Sequence, residues 1–397
     1  MKNFFYATLL FVSFCAVFVV SCSTDTAEID KTEIPVDTVF AFAGQQLTRS
    51  VELIKDSNRF PRYTNPDGVW ETLDSSAWSS GFFPGCLWIM YEQSKDPKWK
   101  EYAVKWTESM EKEKYCTSDH NNGFKMLPGF GNGYRLTGNE HYREVLIESA
   151  RSLASRYNDK VECIKANEME QWKFPVMVDT MCNLELLVWA AKNGGEQKWL
   201  DMAKNHTQKT MEHHIRRDGS TIQVIDFNPE TGEEIGHGTL CGLSGDSAWS
   251  RGQGQALYGF TVMYRETGNP QFLQTAVKLA DYFIDNLPDD FVPYWDNSDP
   301  GIPDVIRDSS AAATACVGLI ELSSQVKNTA ARNKYHDAAV NILTSLVSPD
   351  YLAAASDTYG ILKHATWKKP TDPQADTSLI WGDYYFLVAL MRMEQNN

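Results

Sequence analysis

The sequence predicts an all-α fold: six helical hairpins closed into an (α/α)6 toroid, with a small β-hairpin extension. Three observations carry this expectation. First, "YRLTGNEHYREVLIESARSLASRY" from Tyr134 and "YRETGNPQFLQTAVKLADYFIDNL" from Tyr264 both read as a helix end, a Gly-Asn turn and a second, amphipathic helix. Second, looser copies begin at positions 91, 189 and 323, and an aromatic opens each second helix: Trp99, Tyr142, Trp199, Phe272 and Tyr335. Alanine follows four residues later on the same helix face, except after Tyr142, where Leu146 stands. The repeats lie roughly 45–75 residues apart, room for two helices and a loop. Third, the linking segments "WSSGFFPG", "SDHNNGF", "FPVMVD", "SAWSRGQGQALYGF" and "SLIWGDYYF" are rich in Gly and aromatics and recur at matching places. That recurrence points to loops converging on a common mouth, which a ring provides and an open solenoid does not.

Along the chain, residues 1–22 read as a bacterial lipoprotein signal. Lys2 supplies the positive end, Phe4 to Val20 the apolar stretch, and Ser21 precedes Cys22, the expected lipidated residue. The acidic, polar run at 23–37 reads as a tether, so the chain is expected to be exported, to the periplasm or outer membrane, touching the membrane through its lipid only. Residues 38–397 then form a single domain. Helices are expected around Ala41–Ile54 and Tyr384–Met393, completing the hairpins. Strand signal is limited to "STIQVIDF" and the turn "NPETGEE". No later stretch is long and apolar enough to span a membrane.

Composition excludes some function classes. A net charge of −15 offers no basic groove for nucleic acid. Any anionic ligand has to be held by a few local cations against a repulsive field. Cys86, Cys116, Cys163, Cys182, Cys241 and Cys316 show no CxxC spacing and read as buried free thiols. The eight histidines show no metal-binding pattern, and the adjacent His213 and His214 point to different sides of a helix. Neither a metal nor an organic cofactor is expected.

One acid is out of place. "FPVMVDTMCNLELLVWAA" at 174–191 is almost wholly apolar, yet Asp179 sits in its middle. An ionised carboxylate there costs several kcal/mol unless it is paired or solvated. Two readings stay open: a helix cap accepting N–H bonds from a helix beginning at Thr180, the one the local pattern favours, and a catalytic acid held between apolar walls.

The segments "WSSGFFPGCLW", "GNGYRLTGN", "FPVMVDTMCNLELL", "GDSAWSRGQ", "RDSSAAATA" and "SLIWGDYYF" together resemble glycoside hydrolase family 88, the unsaturated glucuronyl hydrolases, across nearly the whole of residues 38–397. The resemblance implies an exolytic enzyme that removes a 4,5-unsaturated uronic acid from the non-reducing end of a lyase-cut oligosaccharide. It implies hydration of an enol ether, with one aspartic acid serving as acid and then base. It places that role on Asp179, with Asn121 as the second catalytic position. His120, Arg251, Trp78, Gln223, Gln255, Trp249 and Trp381 fall on substrate-binding positions, and Arg251 is the expected partner of the uronate carboxylate. A structural ion pair of Arg251 with Asp246 or another acid is the competing expectation.

The chain also departs from the family pattern. In "HNNGF", Asn121 stands where the family has a second aspartate. Gln223 replaces a histidine, Leu240 and Cys241 replace a polar pair, Gln255 replaces a platform tryptophan, and a further tryptophan is missing near "CIKAN". Two alternatives follow: a catalytically impaired glycan-binding lipoprotein, or a glycosidase acting on a saturated sugar with Asp246 or Asp383 as a second carboxylate.

Overall fold

Helices of two kinds alternate along the chain. In the computed structural model, which describes Met1, residues 34–368 and residues 375–396, one set is amphipathic and the other is buried nearly all round. The amphipathic set is α1 (Val36–Ile54), α3 (Pro97–Glu108), α6 (Glu140–Ala154), α8 (Lys198–His213), α10 (Pro270–Asp285) and α12 (Thr329–Leu346). In α10 the buried positions are Phe272, Thr275, Ala276, Leu279, Ala280 and Phe283, a single helical stripe. The buried set is α2 (Phe82–Ser94), α4 (Asn122–Met126), α7 (Thr180–Lys192), α9 (Ser250–Thr267), α11 (Ser309–Gln325) and α13 (Ile380–Asn396), with the half-exposed α5 (Asn132–Thr137) continuing α4. In α11 every residue from Ser309 to Ser323 is buried. A helix covered on all sides must have neighbours on all sides, so this set forms the inner ring. A π-helical turn at Leu127–Gly131 joins α4 to α5 as one interrupted inner element.

The ring closes. The α4–α5 element packs between α2 and α7, then α7 packs on α9, α9 on α11, α11 on α13, and α13 back on α2. This is the toroid that the repeats predict. Local chemistry sets the hairpins. Asn139 and Asn269 cap α6 and α10 through their side chains, after Gly138 and Gly268 have ended the preceding helices with φ of 66° and 69°. Each such cap contributes about 1 kcal/mol. Asp96 and Asn328 cap α3 and α12 in the same way.

Strands are more numerous than the sequence suggests. The expected hairpin is β6 (Val224–Phe227) with β7 (Glu234–Gly238), but β5 (Pro175–Met177) joins it as a third antiparallel strand. β5 is buried at every position, so it lacks the alternation that marks a half-exposed strand. Two further hairpins are β1 (Phe60–Thr64) with β2 (Trp70–Leu73), and β3 (Tyr157–Asn158) with β4 (Cys163–Ile164). The first turns on Gly68 at φ 77°.

The domain starts earlier than expected, because α1 takes in positions 36–37 of the predicted tether. Apart from Met1, the predicted signal peptide with Cys22 lies outside the described residues, as does the tether up to position 33. Among the described residues no helix is long and apolar enough to cross a membrane. The six expected free thiols are free, five buried and Cys116 half-buried.

Candidate active site

Inner-helix N-termini meet at one cavity of about 370 Å3. Its walls include Trp78 ahead of α2, His120 and Asn121 at the start of α4, Asp179 at the start of α7, Trp249 just ahead of α9, and Arg251 and Gln255 on α9. Gln223, Leu240 and Cys241 line it from the sheet side. Asp179 is the only acid among the described lining residues.

Two backbone arrangements place Asp179. Val178 donates its N–H to the Gln223 carbonyl at 2.9 Å, which ties the end of β5 to the strand beside it. The chain then turns directly into α7, with Asp179 at the N-cap position. Its side chain makes no capping hydrogen bond, so the cap reading fails on geometry. Oδ1 is buried without a partner, and Oδ2 lies 3.9 Å from His120 Nε2. Val176, Met177 and Met181 beside it are buried, so the apolar walls are real.

His120 is held from behind. Its Nδ1 lies 2.6 Å from the Thr180 hydroxyl, on the residue after Asp179. Burial pushes the His120 imidazole below its ordinary value, against the opposing pull of the Asp179 and Asp119 carboxylates. A neutral ring therefore faces the acid at neutral pH. The register between α4 and α7 is fixed at Gly123, where an added Cβ would fall 2.6 Å from Asn183 Cα. Asn183 Oδ1 in turn accepts from Phe124 N–H at 2.8 Å. Asn121 is thus carried to the same cavity as Asp179.

Gln223 has a divided role. Its Oε1 accepts from the Leu240 N–H at 2.8 Å, the Cys241 N–H at 2.9 Å and the Thr239 hydroxyl. The replaced histidine position and the replaced polar pair are therefore one bonded unit.

Arg251 departs from expectation. Its side chain is 1% exposed, and Nη1 donates to the Thr366 carbonyl at 2.7 Å, the Ser310 hydroxyl at 3.3 Å and Asp308 at 3.4 Å. Nη2 donates to the Trp367 carbonyl at 2.5 Å. Both terminal nitrogens of the guanidinium already donate to the protein, and Arg251 pins the 366–367 segment to the ring. The acid it pairs with is Asp308, the cap of α11, and not Asp246. Trp381 also departs: it is buried behind Trp78, 4.6 Å between ring centroids, and does not line the cavity. Trp78 and Trp249 do.

The two carboxylates proposed for a saturated-sugar reaction are elsewhere. Asp246 is 89% exposed and bonded to His237 at 2.9 Å. Asp383 is buried and accepts from the Ile361 and Leu362 N–H groups at 3.0 and 2.9 Å.

Sequence reasoning missed Arg62, Asn167, Trp367 and Lys368, all of which line the cavity. Arg62 and Lys368 both stack on Trp367, at 4.0 and 4.3 Å from its ring. Both cations stand at the mouth of the cavity. The segment "TWKKP" carries two cations beside an indole, a signal that was available.

A ring of helices around a cavity lined, among the described residues, by one acid, indoles and neutral amides is a toroid fitted to hold a sugar. The chain matches the model of Glycosyl Hydrolase Family 88 over residues 49–396 and belongs to that family. It is similar to an unsaturated glucuronyl hydrolase of Formosa agariphila, 37% identical over 385 residues that cover 94% of each chain. An unsaturated chondroitin disaccharide hydrolase of Streptococcus pyogenes is 31% identical, over 88% of each chain. Among solved structures, an unsaturated glucuronyl hydrolase specific for heparin superposes with a TM-score of 0.87 at 35% identity, covering 91% of this chain and 97% of that one. The protein is a glycoside hydrolase.

Proposed function

We propose that the enzyme removes a 4,5-unsaturated uronic acid from the non-reducing end of lyase-generated oligosaccharides by hydrating its enol ether. The observation that carries this is the single carboxyl group, Asp179, among the described residues lining the cavity. Displacement at an anomeric carbon needs two carboxylates flanking the bond. Hydration of an enol ether needs one group that gives a proton and takes one back. The names of the relatives agree with this choice.

In this reaction Asp179 donates its proton to C4, and the electron pair of the C4–C5 double bond forms the new C–H bond. The positive charge left at C5 is shared with the ring oxygen. Water adds at C5 and gives its proton to the Asp179 carboxylate. The resulting hemiketal opens, and the hemiacetal left at C1 releases the rest of the oligosaccharide. Asn121 is a neutral hydrogen-bonding group for water or a sugar hydroxyl. Lys368 at the mouth offsets part of the overall negative charge for an anionic substrate.

Asn121 also favours a second reading, a catalytically impaired member of the family that binds glycan, because a neutral amide stands where the family pattern has an acid. One experiment separates the two. Unsaturated uronides absorb in the ultraviolet through the conjugated enol ether, and hydration destroys that chromophore. The enzyme reading expects loss of absorbance with at least one member of a glycosaminoglycan and plant-uronide panel. Tight binding without turnover, with activity restored by Asn121→Asp, would establish the binder.

The same reading puts the enzyme outside the cytoplasm, held by lipid on Cys22. Lys2, the apolar run to Val20 and the Ser21–Cys22 junction support it. Labelled fatty acid incorporated by the full chain and lost in Cys22→Ala is the expected result.

A further inference from the structure

The cavity holds an amide whose orientation is settled by its surroundings. Asn and Gln side chains are usually free to exchange donor and acceptor ends by a half-turn. Gln223 is not. Two of its three partners are backbone N–H groups, of Leu240 and Cys241, which can only donate, and the Thr239 hydroxyl donates with them. The atom they reach must be oxygen, and turning the amide would set its NH2 against two N–H groups. The nitrogen, Nε2, bonds no protein oxygen or nitrogen among the described residues; the Cys241 thiol beside the amide can take at most one of its two hydrogens, and Gln223 lines the cavity. Gln255 and Asn167 line the same space without such a lock, since the oxygen of each is partnerless.

Gln223 and Asp179 also line the same cavity from neighbouring strands of backbone. The Gln223 carbonyl accepts the Val178 N–H, one residue before Asp179. In the reaction proposed above, on which this inference rests, Asp179 addresses C4, and the carboxylate is carried by the next carbon, C5. A carboxylate only accepts hydrogen bonds. A fixed donor in the cavity of the acid matches an acceptor-only group beside C4, while both terminal nitrogens of Arg251 already bond Thr366, Trp367, Ser310 and Asp308.

We infer that Gln223 is a specificity-determining residue: its locked amide nitrogen donates to the uronate carboxylate of the substrate, in place of Arg251. The diverged segment Thr239–Cys241 is then the clamp that sets this donor, and the departures from the family pattern at 223, 240 and 241 act as one device.

Gln223→Glu isolates the claim. A carboxylate there still accepts from Thr239, Leu240 and Cys241, so the clamp and the fold persist, but the donor is gone and an acceptor faces the substrate carboxylate. Calorimetry on Asp179→Asn protein, with and without Gln223→Glu, uses an unsaturated glucuronyl disaccharide and its carboxyl-reduced counterpart. The acid should bind at least about 10-fold more weakly after Gln223→Glu, and the reduced sugar within about 2-fold of its former affinity. Thr239→Val, which removes one clamp donor and leaves the amide, should weaken the acid selectively by about 2- to 5-fold. Equal weakening of both sugars, or no change in either variant, would overturn the inference. Because binding is read without turnover, a parent protein that binds the acid but hydrolyses nothing would defeat the proposed reaction while Gln223 is still judged by the same ratio.

Discussion

The two ends of the inner ring spend their polar groups differently. At the far end, α7, α9, α11 and α13 bring together Glu185, Arg265, Glu321 and Arg392. Arg265 bonds Glu185 at 2.9 Å, Glu321 at 2.8 Å and Glu266 at 2.7 Å. Arg392 reaches Glu321 at 3.0 Å, and the Tyr258 hydroxyl donates to Glu185 at 2.9 Å. At the mouth, Asp179 Oδ1, Asn167 Oδ1, Gln255 Oε1 and Trp249 Nε1 are buried and partnerless. α7 and α9 contribute to both ends, so sequence context alone does not account for the contrast. Buried polar groups without partners cost stability, and a fold retains them where a ligand completes them. Partnerless atoms also occur elsewhere, among them His206 and His214 Nε2, Trp381 Nε1 and, beside Glu321 at the far end, Gln325 Oε1, but the mouth gathers four around one cavity. One end of the ring holds the protein together, and the other is left incomplete for a substrate.

Substitutions at the two ends should therefore have opposite signatures. The largest effect is expected at Asp179. Asp179→Asn should keep the fold and lower turnover of an unsaturated uronide by at least about 100-fold, measured as the rate of chromophore loss. Glu321→Ala should act in reverse. It takes Glu321 from Arg392 and one of three acid partners from the partly exposed Arg265, so unfolding free energy should fall by about 1 to 2 kcal/mol in urea titration. The KM and kcat of the folded fraction should stay within about 2-fold, since Glu321 lies at the other end of the ring. Gln255→Leu should gain about 1 kcal/mol of stability by removing a partnerless buried amide, and should weaken substrate. A loss of stability there would mean that the mouth is not unsatisfied in solution.

The toroid was legible in the sequence because its signal is repeated. Each hairpin carries its own turn, cap and aromatic, and the copies reinforce one another. β5 was not, because "PVM" buried on every side gives no period. Asp179 stood out as an acid among apolar residues, and the cap reading could be dismissed only by side-chain geometry. Arg251 shows the limit most clearly. Its partners Asp308, Ser310, Thr366 and Trp367 are far away in sequence, and nothing local announces that the guanidinium is already taken. Trp381 is similar, since only the packing of α13 on α2 places it behind Trp78. Arg62, Asn167 and Lys368 reach the cavity from three different loops and strands, with no common spacing.

The smallest net effect concerns pH, because the buried groups oppose one another. Burial pushes His214 down to about 4 and His206 to about 3, from 6.5. The unfolded chain binds their protons first, so stability is full above about pH 6.5 and is lost as pH falls towards 4. Burial pushes Asp383 up from 3.8 to about 7. Its contribution has the other sign: it is present below pH 3.8 and lost as pH rises through 7. Between those limits the terms partly cancel. Urea midpoints should fall only shallowly from pH 7 to 5, and more steeply in Asp383→Asn, which lacks the compensating acid. Parallel profiles would show that Asp383 does not titrate in this range.

The central claim is that Asp179 delivers a proton to C4 of an unsaturated uronide. Turnover in D2O, followed by NMR of the released uronic acid, tests this most directly. The account predicts one deuterium at C4, loss of the vinyl signal, and a C5 keto product, all absent when Asp179→Asn protein is used at the same concentration. Release of a sugar that retains its C4–C5 double bond and carries no deuterium at C4 would contradict it.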